Sequence, residues 1–105
     1  MKKFLWINPK VCNPPHRITH WDKFNDLKQS LSTGWKSNSP VLLGYKFNNK
    51  IQLISGSHRW AAMMELEKKI PVLIMDYEQV YELFGTEDWI EMVKNPPTLE
   101  EVNGN

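Results

Sequence analysis

Apolar and polar positions change period twice between Ile51 and Ile74, and that change organises the chain. Ile51, Leu53 and Ile54 form a short apolar run of strand length that ends at a glycine. From Ser57 the spacing becomes helical, with Trp60, Ala61, Met64 and Leu66 on one face. Ile70 to Met75 is again a strand, with Pro71 near its start, where a missing N–H is tolerated. Strand, tight Gly56-Ser57-His58-Arg59 turn, helix and strand therefore follow one another directly. Upstream, Phe4 to Ile7 predicts a first strand stopped by Asn8-Pro9, and residues 9–19 an ordered, proline-rich loop. Thr19 to Thr33 predicts a helix capped by Thr19 with Asp22 in its first turn, buried along Phe24, Leu27 and Leu31, and ended by Gly34. Val41 to Phe47 and Lys50 to Ile54 predict a hairpin closed by Asn48-Asn49, two residues that tolerate positive φ. Tyr77 to Phe84 and a Thr86-capped segment ending at Lys94 predict two short helices, the second apolar along Trp89, Met92 and Val93.

The mixture of strands and helices predicts an α+β fold with a small mixed sheet. At 105 residues it predicts a single domain over residues 1–95, with residues 96–105 a loosely held tail lacking a strong apolar face. Composition changes this picture little: 41% hydrophobic, 24% charged and a net charge of +1 describe an ordinary soluble protein, not a dedicated nucleic-acid binder. No apolar run is long enough to span a membrane. One cysteine, Cys12, cannot form an internal disulfide, which favours a reducing, cytoplasmic setting.

Candidate chemistry concentrates where the strand meets the helix. A helix N-terminus offers unpaired N–H groups and partial positive charge, so the Gly56–Arg59 turn reads as a phosphate site. Ser57 adds a hydroxyl, His58 a donor or proton shuttle and Arg59 a planar fork for phosphate oxygens. The plain alternative, a Ser-capped turn with two solvated polar residues, carries equal weight on composition alone. No metal-ligand pattern accompanies the turn, and the nearest acids by topology are Asp22, Asp76 and Glu78.

Gly56-Ser57-His58-Arg59-Trp60-Ala61-Ala62, followed by an amphipathic helix and Ile70-Pro71-Val72, resembles the ParB/sulfiredoxin superfamily. Sulfiredoxins carry Gly-Cys-His-Arg-Tyr-Ala-Ala at this place, and ParB proteins Gly-Glu-Arg-Arg with alanines after it. Asn13-Pro14-Pro15-His16-Arg17 is similar to the ParB Asn-Pro-x-Gln-Pro-Arg box, one residue short. The resemblance covers roughly residues 5–76 and implies a nucleotide, ATP or another nucleoside triphosphate with Mg2+ as a companion ion. It implies phosphates held by Gly56, Ser57, His58 and Arg59, with Arg17 and His16 closing over them. His58 and Arg59 are the catalytic candidates of an NTP-using hydrolase or phosphotransferase. Ser57 stands where sulfiredoxin chemistry needs cysteine, which argues against peroxiredoxin repair. The alternatives are a non-catalytic DNA- or protein-binding module of a phage or mobile element, and a metal-dependent nuclease.

Overall fold

Two apolar faces on single strands decide the architecture, as seen in a computed structural model that describes residues 3–103. Every residue of Ile70–Met75 is buried, so this strand is covered on both sides and sits inside the sheet. The strands are β1 (Lys3–Ile7), β2 (Cys12–Asn13), β3 (Leu42–Phe47), β4 (Lys50–Leu53) and β5 (Ile70–Met75), in the order β1-β5-β3-β4-β2. β5 pairs antiparallel with β1 and parallel with β3; β3 pairs antiparallel with β4, and β4 parallel with β2. The helices are α1 (Trp21–Leu31), α2 (Ser57–Leu66), α3 (Tyr77–Leu83), α4 (Glu87–Lys94) and α5 (Leu99–Asn103). The expected α+β class with a small mixed sheet is the fold observed.

Alternation sorts side chains between two cores. Leu42, Ile70, Val72 and Ile74 join Phe24 and Leu31 of α1 and Ala61, Ala62 and Met63 of α2. On the other face Val41, Leu43 and Leu73 meet Leu99 of α5, with Met92 of α4 packed against them. The apolar face of α2 extends beyond the expected one: Ala62 and Met63 are its deepest residues because α1 and the sheet cover it from two sides.

The hairpin is as the asparagines predict, with φ of 50° at Asn48 and 63° at Asn49. Two elements differ from expectation. α1 starts at Trp21, and its cap position is His20 rather than Thr19, with no side-chain cap bond. The His20 N–H instead donates to His58 Nε2 at 3.2 Å, a tertiary bond that holds His20 extended and delays the helix. Within the 9–19 loop, a 3-10 turn (Pro9–Val11) and β2 appear, the latter supplied with partners by the otherwise open edge of β4. Two residues carry no periodicity, so β2 leaves no trace in the sequence pattern.

The segment expected to hang loosely from residue 96 has more anchors than its sequence suggested. Val41 N–H donates to the Pro97 carbonyl at 2.9 Å, Leu99 N–H to Ser39 at 3.0 Å and Glu100 N–H to Ser37 at 2.8 Å. Leu99 is buried in the second core and Val102 packs beside it. The apolar face missing from the sequence reading is thus two residues wide, and the polar connection after Gly34 supplies its backbone acceptors. No helix among the described residues is long and apolar enough to cross a membrane.

Candidate functional site

β4 delivers the chain to Gly56, and α2 begins immediately after it. Gly56 has φ +89°, and an added Cβ would lie 2.2 Å from Leu42 Cδ2, so only glycine fits this corner. The first bond of α2 runs from Trp60 N–H to the Gly56 carbonyl at 2.8 Å. The N–H groups of Ser57, His58 and Arg59 therefore precede the helical ladder and have no intrahelical acceptor.

Those groups border a cleft of about 310 Å³, lined at its polar side by His16, Lys23, Ser55, Gly56, Ser57, His58 and Arg59. Leu27, the start of β3, Val93 and Pro96 complete the wall. Two permanent cations and two imidazoles face this space, and no carboxylate lines it. Asp22, Asp76 and Glu78 do not border it, and among the described residues no group of three or more His, Cys, Asp or Glu forms a metal site.

The N-terminal loop is tied to the turn. The His16 N–H donates to Ser57 Oγ at 3.1 Å, and the Trp60 indole N–H donates to the Pro9 carbonyl at 2.8 Å. Gln52 Nε2 donates to the Pro14 carbonyl at 3.4 Å. These bonds bring His16 to the cleft. Arg17 is not brought there: its side chain is exposed and outside the lining, and its carbonyl is 2.7 Å from His16 Nδ1.

Each turn residue has a definite environment. Ser57 is 1% exposed, its oxygen already an acceptor. Arg59 lines the cleft but also donates Nη1–H to the Pro40 carbonyl at 3.0 Å, with its guanidinium 5.5 Å from the Trp35 ring centroid. Burial lowers its pKa, yet it stays cationic, and among the described residues no carboxylate pairs with it. One carbonyl uses one of five donors, which leaves the rest available to an anion. His58 lies between His16 and His20, with ring centroids 5.9 and 6.0 Å away. Its Nε2 accepts from the His20 N–H, which fixes a neutral ring. Burial lowers its pKa first, and the charges of Lys23, His16 and His20 lower it further.

That shift gives a pH prediction. The folded state resists protonating His58, so the unfolded chain binds the extra proton as pH falls below the ordinary value of 6.5. Stability from this group is complete above 6.5 and declines below it. Urea midpoints between pH 7.5 and 5.5 should fall more steeply for the wild type than for His58→Asn; parallel profiles would contradict this assignment.

Lys23 is the cleft residue that sequence reasoning missed. Its trace was present: it precedes the cleft residue Leu27 by one helical turn on α1, so the two share a face. Cys12, by contrast, is a core residue, and burial pushes its thiol up to about 11, so it is no nucleophile at neutral pH.

Solved structures share this architecture. Free serine kinase in complex with AMP matches at 25% identity and a TM-score of 0.56, over 70% of this chain and 31% of that one. Sulfiredoxin from Arabidopsis thaliana matches at 17% identity and a TM-score of 0.58, over 89% of this chain and 98% of its own. The C-terminally truncated chromosome-partitioning protein ParB from Caulobacter crescentus, complexed with CTP-gamma-S, matches at 19% identity and 0.57, over 92% and 55%. The chain thus spans about a third of the kinase and just over half of that ParB. No family model and no curated protein matches the sequence.

Proposed function

With the ParB/sulfiredoxin-like fold of this chain as the frame, we propose that the cleft at the start of α2 binds a nucleoside triphosphate and uses it in hydrolysis or phosphoryl transfer. One observation carries this reading: a helix N-terminus, Lys23 and Arg59 converge on one cleft that no carboxylate lines. Such a site favours a polyanion, since a half-buried Arg59 without a carboxylate partner, an exposed Lys23 and a helix N-terminus are all satisfied by an anionic ligand. The bound AMP of the serine kinase and the CTP analogue of ParB support a nucleotide as that polyanion. In this reading the Ser57, His58 and Arg59 N–H groups hold phosphate oxygens, Lys23 neutralises charge from the opposite wall, and the free Arg59 donors reach the outer phosphate. Mg2+ would arrive on the phosphates, because the lining has no carboxylate to hold it. Phosphoryl transfer is mostly positioning and charge neutralisation, so this set suffices for slow turnover.

A second reading has its own observation. His58 is the acid/base candidate, and its Nε2 lone pair is occupied by the His20 N–H. Catalysis through that nitrogen requires the bond to open, whereas a non-catalytic nucleotide-binding module leaves it intact.

The test is a thermal-shift panel of ATP, ADP, CTP and GTP, with and without Mg2+, on wild type and Lys23→Ala. Lys23 is preferred to Arg59 because Arg59→Ala also removes the Pro40 bond and the Trp35 contact. A nucleotide at about a hundred times its Kd stabilises by roughly 2.7 kcal/mol, a shift of several degrees for a domain of this size. Lys23→Ala should weaken the same nucleotide about tenfold or more, the usual scale for a lost charged hydrogen bond of about 1.5–3 kcal/mol. No shift with any nucleotide refutes the proposal. Where a shift is found, phosphate release separates the catalytic from the non-catalytic reading.

A further inference from the structure

Charge is unevenly divided along this nearly neutral chain. Residues 76–105 hold eight of the 12 acidic side chains and one of the 13 basic ones. Three of the exposed large apolar side chains lie on α3 and at its C-terminal cap in the same region: Tyr77 is 49% exposed, Tyr81 77% and Phe84 71%. Their spacing is i, i+4 and i+7, so they form one stripe along the helix, while Val80 on the adjoining side is buried. Isolated exposed aromatics need no explanation, but an aromatic stripe on a helix marks a contact surface.

The stripe has opposite charges on its two flanks. Tyr77 stacks on Phe47 with ring centroids 6.0 Å apart and tilts against Tyr45 at the same distance, so the stripe faces the β3–β4 hairpin. Phe47 is itself half-exposed, and its register partner is Lys50, which therefore lies on the same sheet face, whereas Lys46 pairs with Ile51 and belongs to the other face. Glu78 and Glu82 follow Tyr77 and Tyr81 by one residue, about 100° around the helix and away from the hairpin side. The surface thus runs from Lys50, across four aromatic rings, to glutamates. Lys50, Glu78 and Glu82 are exposed, and none is in an ion pair with another described residue.

We propose that this surface binds a second copy of the chain in an isologous, two-fold dimer. A two-fold axis over the stripe sets aromatic side against aromatic side and brings Lys50 of one copy to the Glu78/Glu82 flank of the other. Such self-complementarity is what a closed homodimer requires of one surface patch. A nucleic acid does not suit the surface, because the acidic helices would repel its phosphates. The aromatic rings supply the buried anchor, and the charged flanks set register and give the association its salt sensitivity.

Sedimentation equilibrium of the full chain tests this at about 0.05 M and about 0.5 M salt. The mass should rise with concentration from 12.4 kDa toward twice that value, and the high-salt series should require more protein to reach it. Phe84→Asp, at a site 71% exposed whose ring also packs on Trp89, should hold the chain at the single-chain mass, and an unchanged circular dichroism spectrum shows that the fold survives the substitution. The charge-reversed variants Lys50→Glu and Glu78→Lys/Glu82→Lys should each be monomeric alone and form a 1:1 dimer when mixed. Single-chain mass at every concentration overturns the proposal and assigns the surface to a different, basic partner. A dimer that survives Phe84→Asp, or a mixture that stays monomeric, overturns it as well.

Discussion

Gly56→Ala should lower the unfolding free energy by about 2–5 kcal/mol and abolish any nucleotide-induced thermal shift. Two independent costs combine at this corner. An L residue at φ +89° gives up about 1–2 kcal/mol relative to glycine. The new methyl would meet Leu42 Cδ2 at 2.2 Å, and forcing a methylene into a packed core costs about 1–3 kcal/mol more. Leu42 cannot retreat easily, since it is 2% exposed and belongs to the core beneath α2. Relief by moving the backbone would shift the N–H groups of Ser57 and His58 away from the cleft. Urea denaturation measures the stability loss, and the double variant Gly56→Ala/Leu42→Ala distinguishes the causes. Leu42→Ala removes the clash but leaves the φ penalty, so the two losses should add to less than their sum. A Gly56→Ala protein within about 0.5 kcal/mol of wild type would contradict the geometry of the turn.

Leu43→Ala should cost a further class of about 2–5 kcal/mol, by a different route. Leu43 is 0% exposed and sits on β3 in the second core, facing Leu73 of β5 and Leu99 of α5. Truncation removes transfer free energy and leaves a cavity under helices that have few other attachments: α4 has no buried residue and α5 one. The same helices carry Met92 and Val93, of which Val93 forms part of the cleft wall. Hydrogen exchange should therefore lose protection first in residues 87–103, while the hairpin and α2 keep theirs. Val11→Ala, at a site 45% exposed, provides the contrast and should stay within about 0.5 kcal/mol of wild type. Uniform loss of protection across the chain would show one cooperative core instead of two unequal ones.

What could be read from the residues was set by local physics. The unbroken apolar run of Ile70–Met75, helical period after Ser57, Asn48-Asn49 at positive φ and Gly34 at φ +112° each follow from neighbours in the chain. The Gly56–Arg59 turn belongs to the same group, since a glycine that ends a strand and opens a helix creates unpaired N–H groups whatever surrounds it. The Thr86 cap is equally local: its hydroxyl accepts the Trp89 N–H at 3.2 Å, as the sequence predicts.

Other features came from contacts between distant segments, which no spacing rule encodes. Lys23 reaches the cleft because α1 packs on α2, and Arg17 misses it because the loop turns after His16. Arg59 was expected as a free phosphate fork, yet its site includes Trp35 and the Pro40 carbonyl, 24 and 19 residues away in the chain. β2 and the docking of Leu99 likewise depend on backbone groups that only the assembled sheet presents. The sequence by itself determined the elements, the sheet class and the position of the helix N-terminus, because dihedral preference and side-chain period act over a few residues. Tertiary structure alone decided which cations share that N-terminus, which side chains it leaves outside and how the acidic helices are held. Those outcomes depend on packing across the sheet, where burial and hydrogen-bond satisfaction, not chain proximity, select the neighbours.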